Sequence, residues 1–273
     1  MASRASHLHP DRGWAGIAAA LAIALALAFV SPAAAFETPA SMRLFGFGER
    51  ATLGTGEFPK WTQMLARYEH EKLLEAQVCL AGPCRLQNWR AHLRTLAGRD
   101  KLAQLRAVNA YVNGFVFRTD QSNYGMMDYW ATPREFFARG GDCEDFSIAK
   151  YLSLRHLGWD MDYVRLVVTM HERRRELHAV LAVKTGPTIW ILDNLLPEPT
   201  DHRQLSYYRP IYSINEQAWW RHTHPGVAEG PADPDRTDKF ALARGGCETS
   251  EDFVAAVHIG RDPGWPRFSR HVN

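Results

Sequence analysis

The 273-residue chain predicts an α+β fold, and three observations predict it. Apolar residues recur at helical spacing from Trp61 to Leu157. After Gly158 the period switches to the alternation of strands. At the junction stands Cys143, at the entrance of the last helix, so a helical N-terminal half should present a cysteine at a helix N-terminus packed on an antiparallel sheet.

Residues 1–35 read as a secretory signal peptide rather than as part of the fold. Arg4 and Arg12 precede an apolar run from Trp14 to Val30, and Ala33-Ala34-Ala35 offers small residues for a signal peptidase. The run is short, at the lower limit for a membrane span, and no basic cluster follows Val30. Cleavage near Ala35 is expected over an uncleaved anchor. It lowers the formal charge from +2 to +1 by removing Arg4, Arg12 and Asp11. The basic residues are dispersed, and nothing in the sequence suggests a nucleic-acid surface. The dense patch Arg173-Arg174-Arg175 lies between Glu172 and Glu176 and reads as a solvated hairpin tip, with a substrate or membrane contact as the alternative.

Residues 36–58, rich in Gly, Pro and Thr, read as an extended lead-in to a domain spanning 59–220. Trp61, Leu65, Tyr68, Leu73 and Leu74 mark an amphipathic helix to Val78. Two more helices follow at Leu86–Ala97 and Lys101–Phe115, and residues 118–132 read as a loop. Thr132-Pro133-Arg134-Glu135 is a helix start, with Thr at the cap, Pro in the first turn and Glu placed to close a capping box. That helix stops at Gly140-Gly141, and the next opens at Asp142-Cys143 and ends at Gly158. Strands are expected at Tyr163–Met170, His178–Lys184, Thr188–Asp193 and Ile211–Ile214. Beyond Trp220 the chain is rich in Gly, Pro and charge, and 221–273 reads as a poorly structured tail.

Four cysteines remain to be placed. Cys79 and Cys84 flank Leu-Ala-Gly-Pro, a turn-forming insert that favours a local disulfide in an oxidising compartment. Cys143 and Cys247 are left over, and their pairing is the structural alternative to catalysis at Cys143. The catalytic reading starts from two glycines that place Cys143 at a helix entrance, where unpaired N–H groups and the dipole favour a thiolate. A thiolate needs an imidazole and the imidazole needs an orienting partner. His178 begins an apolar strand, and Asp193 ends the next one. A hairpin turning near Gly186 pairs about residue 178 with about 193 or 194. His171 and His156 read as surface residues. Trp130 reads as core over cleft, and Asn194 as either triad support or turn.

These residues also resemble a family. Gly140-Gly141-Asp142-Cys143-Glu144-Asp145-Phe146-Ser147-Ile148-Ala149-Lys150-Tyr151 looks like the signature of the bacterial transglutaminase-like cysteine proteinases, the family of the LapG-type periplasmic proteases. Asp128-Tyr129-Trp130-Ala131-Thr132-Pro133, His178-Ala179-Val180 and Leu192-Asp193-Asn194 resemble it as well. The resemblance implies a papain-like, transglutaminase-like fold and a periplasmic location. It implies Cys143 as nucleophile, His178 as general base and acid, and Asp193 as orienter. LapG-type members bind calcium beside the catalytic cysteine, so it also implies a Ca²⁺ site at Asp142, Glu144 and Asp145. Those carboxylates disfavour a thiolate by repulsion. A hard cation removes the conflict, and a helix N-terminus complemented by acidic residues is the alternative. The implied substrate is a protein, by analogy a large surface adhesin shed from a biofilm, with restraint by an inner-membrane receptor for cyclic di-GMP. Two rivals stay open: a transglutaminase or amidase with the same triad, and a non-catalytic periplasmic binding module.

Overall fold

The strand-forming half builds a seven-stranded antiparallel sheet, described by a computed structural model for residues 40–78 and 84–225. The expected signal peptide, Cys79, Cys247 and most of the expected tail lie outside the described residues, so those readings stay where the sequence left them. Strands β1 (Gly48–Leu53), β2 (Val164–His171), β3 (Glu176–Thr185), β4 (Thr188–Leu192), β5 (Thr200–Asp201), β6 (Tyr208–Ile214) and β7 (Ala218–Thr223) lie in the order β1-β7-β6-β2-β3-β4-β5. The segment read as a lead-in thus contributes an edge strand, β1, paired with β7 from Gly48–Thr223 to Leu53–Ala218. Pairing continues through Thr223, past the expected end of the domain at Trp220.

The helices are α1 (Pro59–Val78), α2 (Arg85–Leu96), α3 (Lys101–Asn113), α4 (Asp120–Tyr124), α5 (Pro133–Arg139) and α6 (Cys143–His156). Short α4 stands where a loop was expected. Thr119 caps it by accepting from Ser122 N, and Gly125 closes it in the left-handed region. The capping box expected at Thr132 and Glu135 forms in full and starts α5.

Strands β2 and β3 are covered on both faces. Leu166, Val168, Leu181 and Val183 meet the helices through Trp61, Trp89, Phe136, Phe146 and Tyr151. Val167, Val180 and Ala182 meet Met42, Leu44 and Tyr208 on the other side. Double coverage explains why these strands read as near-continuous apolar runs. Leu181 has no solvent exposure, so Leu181→Ala should cost about 2–5 kcal/mol. Helix α6 is likewise buried from Cys143 to Leu154, which makes it the central helix against β3. No helix among the described residues is long and apolar enough to cross a membrane.

Candidate active site

Two glycines aim Cys143. Gly140 ends α5 at φ +80, and its N–H donates to Phe136 O at 2.7 Å. A Cβ there would run into the Val116 carbonyl, so glycine is required both for the turn and for the close approach. Gly141 makes a parallel bridge with Phe117, and Arg118 N donates to its carbonyl at 2.9 Å. A Cβ on Gly141 would occupy the place of the Asp145 carboxylate. Asp142 is extended, and the chain turns into α6 at Cys143. The first N–H groups of the helix then surround the sulfur with partial positive charge.

Cys143 is buried, and its Sγ accepts from Ala179 N of β3 at 3.2 Å. Ser147, one turn on, donates to the carbonyls of Cys143 (2.9 Å) and Ala179 (3.1 Å), which rivets α6 to β3. Both Cys143 and Cys84 are disulfide-bonded. With its sulfur so engaged Cys143 has no thiol proton, and the described site is an oxidised one.

His178 and Asp193 meet directly, Nε2 to Oδ1 at 2.8 Å, and both are buried. Their contact does not come from the expected direct cross-strand pairing. The ladder sets Leu181 against Leu192 and Thr185 against Thr188, so continuing it would place Asp193 opposite Val180. Strand β4 instead ends at Leu192, and the carboxylate reaches diagonally to the imidazole two residues along. Asp193 Oδ1 also accepts from Leu195 N at 2.9 Å, and Oδ2 accepts from the Tyr208 hydroxyl. Burial pushes this carboxyl up, but the His178 contact and these hydrogen bonds outweigh it and hold it down at about 2. Asn113 of α3 anchors the Asp193 carbonyl at 2.9 Å.

Sequence reasoning missed several neighbours of this pair. Tyr208 is buried and stacks on His178 with centroids 6.0 Å apart, in addition to its bond to Asp193. Its distance along the chain from Asp193 carries no local signal, so sequence could not connect the two. His171 is not a surface residue as expected. It is 7% exposed, lies 6.3 Å from the His178 ring and stacks on Tyr207, because β2 places it on the same covered face. His156 is exposed as expected. Trp130 is core, edge-on to Trp61 at 6.2 Å. Asn194 sits in the turn after β4, with its side-chain oxygen buried and unbonded among the described residues.

The acidic residues group differently from the expected set. Oxygens of Asp120, Asp142 and Glu144 lie within 4.8 Å of one another, all buried. Asp145 is not one of these three; its Oδ1 accepts from Ala131 N at 2.7 Å, and its Oδ2 is buried with no hydrogen bond among the described residues. Asp120 is the member that sequence missed. Its Oδ2 accepts from Tyr129 N, while Oδ1 is buried with no hydrogen bond among the described residues. Burial and then the Asp142 charge push Asp120 up to about 7, and the same two causes push Glu144 and Asp145 well above the carboxylate range. An all-oxygen, anionic cluster that is costly without a counter-charge fits a hard cation such as calcium.

Comparison with known proteins bears on the family and the fold. Residues 79–224, just over half the chain, match the family described as bacterial transglutaminase-like cysteine proteinases. The calcium-bound structure of LapG from Legionella pneumophila is 29% identical, with a TM-score of 0.50, covering 59% of this chain and 93% of that one. The EGTA-treated form of the same protein is 30% identical, with a TM-score of 0.50, over 56% of this chain and 86% of that one. No curated protein matches. The chain therefore belongs to the bacterial transglutaminase-like cysteine proteinases, whose α+β fold its helices and antiparallel sheet display.

Proposed function

We propose that this chain is a cysteine endopeptidase acting by acyl transfer, with Cys143 as nucleophile, His178 as general base and acid, and Asp193 as the orienting carboxylate. One observation carries the reading. Cys143 Sγ lies at a helix N-terminus against Ala179 N–H, and the adjacent residue on that strand is a histidine bonded to a buried, anionic aspartate. The reduced thiol passes its proton to His178, and the thiolate attacks a substrate amide carbonyl. The C–N bond breaks as His178 returns the proton to the leaving amine. Water, deprotonated by His178, then releases the acyl group and restores the thiol. Asp193 holds the imidazole in one orientation and supports its charged form. The N–H groups opening α6 are suited to receive the developing oxyanion.

Calcium belongs to the same proposal. Asp120, Asp142 and Glu144 would hold it, and its charge would offset the carboxylates that otherwise disfavour a thiolate at Cys143. Asp145 is left to position Ala131. From the family resemblance we further propose a periplasmic location after removal of residues 1–35, a large surface adhesin as substrate, and a cyclic di-GMP receptor as the restraining partner.

The oxidised state of Cys143 favours a second reading, a binding module that keeps the fold without the chemistry. The two readings separate on reduction. Mature protein treated with a dithiol and calcium should cleave a protein substrate and create new peptide termini. Cys143→Ala should abolish cleavage by at least roughly 10³-fold. If the fully reduced wild type cleaves nothing across a panel of adhesin fragments while still binding them, the binding module stands instead.

A further inference from the structure

Three arginines from separate parts of the fold line one cavity of about 550 Å³. Arg85 opens α2, Arg118 stands in the link between α3 and α4, and Arg139 ends α5. Val116, Asn123 and Gly140 also contribute to the lining, and no aspartate or glutamate does. A single exposed arginine is solvated by water and needs no further explanation. Three guanidiniums around one hollow repel one another, and a concave wall of one sign concentrates their field. None of the three joins an ion pair among the described residues, whereas Arg134, Arg155 and Arg203 each meet a carboxylate.

Two of these side chains are also steered. Arg85 donates to Phe137 O at 3.2 Å. Arg139 reaches Asn123 O at 3.5 Å and lies over the Tyr124 ring, 5.5 Å from its centroid. Each contact uses one of the five N–H donors that a guanidinium carries, so most remain for a ligand. Arginine presents those donors in the geometry that matches a carboxylate.

The cavity adjoins the chain crossing that aims Cys143. Gly140 lines it and stands three residues before the nucleophile. Gly141 N donates to Val116 O at 3.4 Å, and Arg118 N donates to Gly141 O at 2.9 Å. Val116 and Phe117, both exposed, add apolar surface at the same crossing. A free phosphate would fill a small part of such a cavity and use none of that apolar surface. A polypeptide uses both, and the polypeptide brought to this crossing is the substrate of Cys143.

We propose that this cavity is a subsite for an acidic segment of the substrate chain, whose aspartate or glutamate side chains meet Arg85, Arg118 and Arg139. The proposal rests on the peptidase reading of the site. Its first test needs no activity: rhodamine-labelled hexaglutamate and hexaglutamine are titrated into mature Cys143→Ala protein, with calcium in excess, and followed by anisotropy. Hexaglutamate should bind at least tenfold more tightly, and the triple variant Arg85→Gln, Arg118→Gln, Arg139→Gln should lose that preference. The hairpin-tip triple Arg173→Gln, Arg174→Gln, Arg175→Gln removes equal charge elsewhere and should keep it. A preference absent in the parent protein, or lost equally in both triples, overturns the proposal. Inorganic phosphate that displaces hexaglutamate at equal concentration marks a small-anion site and overturns it too. Should the first triple not fold, Arg118→Gln alone should weaken hexaglutamate at least threefold, and unchanged binding has the same consequence.

The second test uses reduced wild type. Hexaglutamate should raise KM for a cleaved protein substrate without lowering kcat. Binding with no effect on cleavage would take the cavity out of the substrate path and overturn the subsite. A protein that binds hexaglutamate through these arginines yet cleaves nothing would sink the peptidase reading and leave a site for acidic peptides standing.

Discussion

One buried carboxylate, Asp193, and one buried cluster of carboxylates, Asp120, Asp142 and Glu144, are settled in opposite ways. Asp193 is surrounded by protein donors: His178, Leu195 N–H and the Tyr208 hydroxyl. Its charge is stabilised before any ligand arrives, and it is held near 2. Asp120, Asp142 and Glu144 crowd one another out of water, and Asp120 is pushed up to about 7. The first is pre-organised by the fold, and the second is costly without a counter-charge. That difference separates a residue that orients an imidazole at all times from residues whose charge should answer to calcium.

The largest expected effect comes from breaking the pre-organised side. Asp193→Asn should lower kcat by roughly 10²–10⁴-fold with little change in calcium affinity, since it leaves His178 without an anionic orienter. A loss of less than tenfold in steady-state cleavage would remove Asp193 from the mechanism. Next in size is metal removal. Chelation should lower the thermal midpoint by several degrees, and calcium at 100 times its Kd should restore about 2.7 kcal/mol. Asp120→Asn should weaken calcium binding at least tenfold by calorimetry. Asp145→Asn should reduce stability while leaving affinity closer to wild type, because Asp145 serves Ala131 N–H.

The two groups should also respond to pH with opposite signs. Asp193 has a folded-state pKa of about 2, below its ordinary 3.8, so its contribution is present above 3.8 and is lost as pH falls through about 2. It amounts to roughly 2 kcal/mol and should vanish from the acid-unfolding curve of Asp193→Asn. Asp120 is raised, so in calcium-free protein its contribution is present below the ordinary carboxylate value and is lost as pH rises through about 7. Calcium-free protein should therefore melt lower at pH 7.5 than at pH 5, and added calcium should close the gap. Smallest of all, Tyr208→Phe removes one hydrogen bond to Asp193 and should cost about 1 kcal/mol in urea unfolding.

The same contrast marks what was legible in the sequence. Gly140-Gly141-Asp142-Cys143 announced a helix entrance, and the capping box at Thr132 announced α5, because both signals are local. The period change at Gly158 announced the sheet. Strand β1 was not legible as part of it, since its partner β7 lies at the far end of the described chain and β1 itself is mostly exposed. His178 and Asp193 were read as a pair, but their direct cross-strand register was not found, because β4 stops one residue before the aspartate. Asp120 stands on α4, two helices before Asp142, and joins its carboxylate only through the fold. Lys150 was visible as part of a motif, yet its complete burial does not follow from spacing alone.

The central claim is that Cys143 becomes a reactive thiolate paired with His178 once its disulfide is opened. The most direct measurement is alkylation of the mature protein, read by peptide mass spectrometry across pH, before and after treatment with a dithiol, for wild type and His178→Ala. The account predicts no labelling of Cys143 before reduction, and rapid labelling afterwards at a pH well below the ordinary thiol value of about 8.5, with the low-pH reactivity lost in His178→Ala. A reduced Cys143 that labels only near that ordinary value, equally in both proteins, would contradict it.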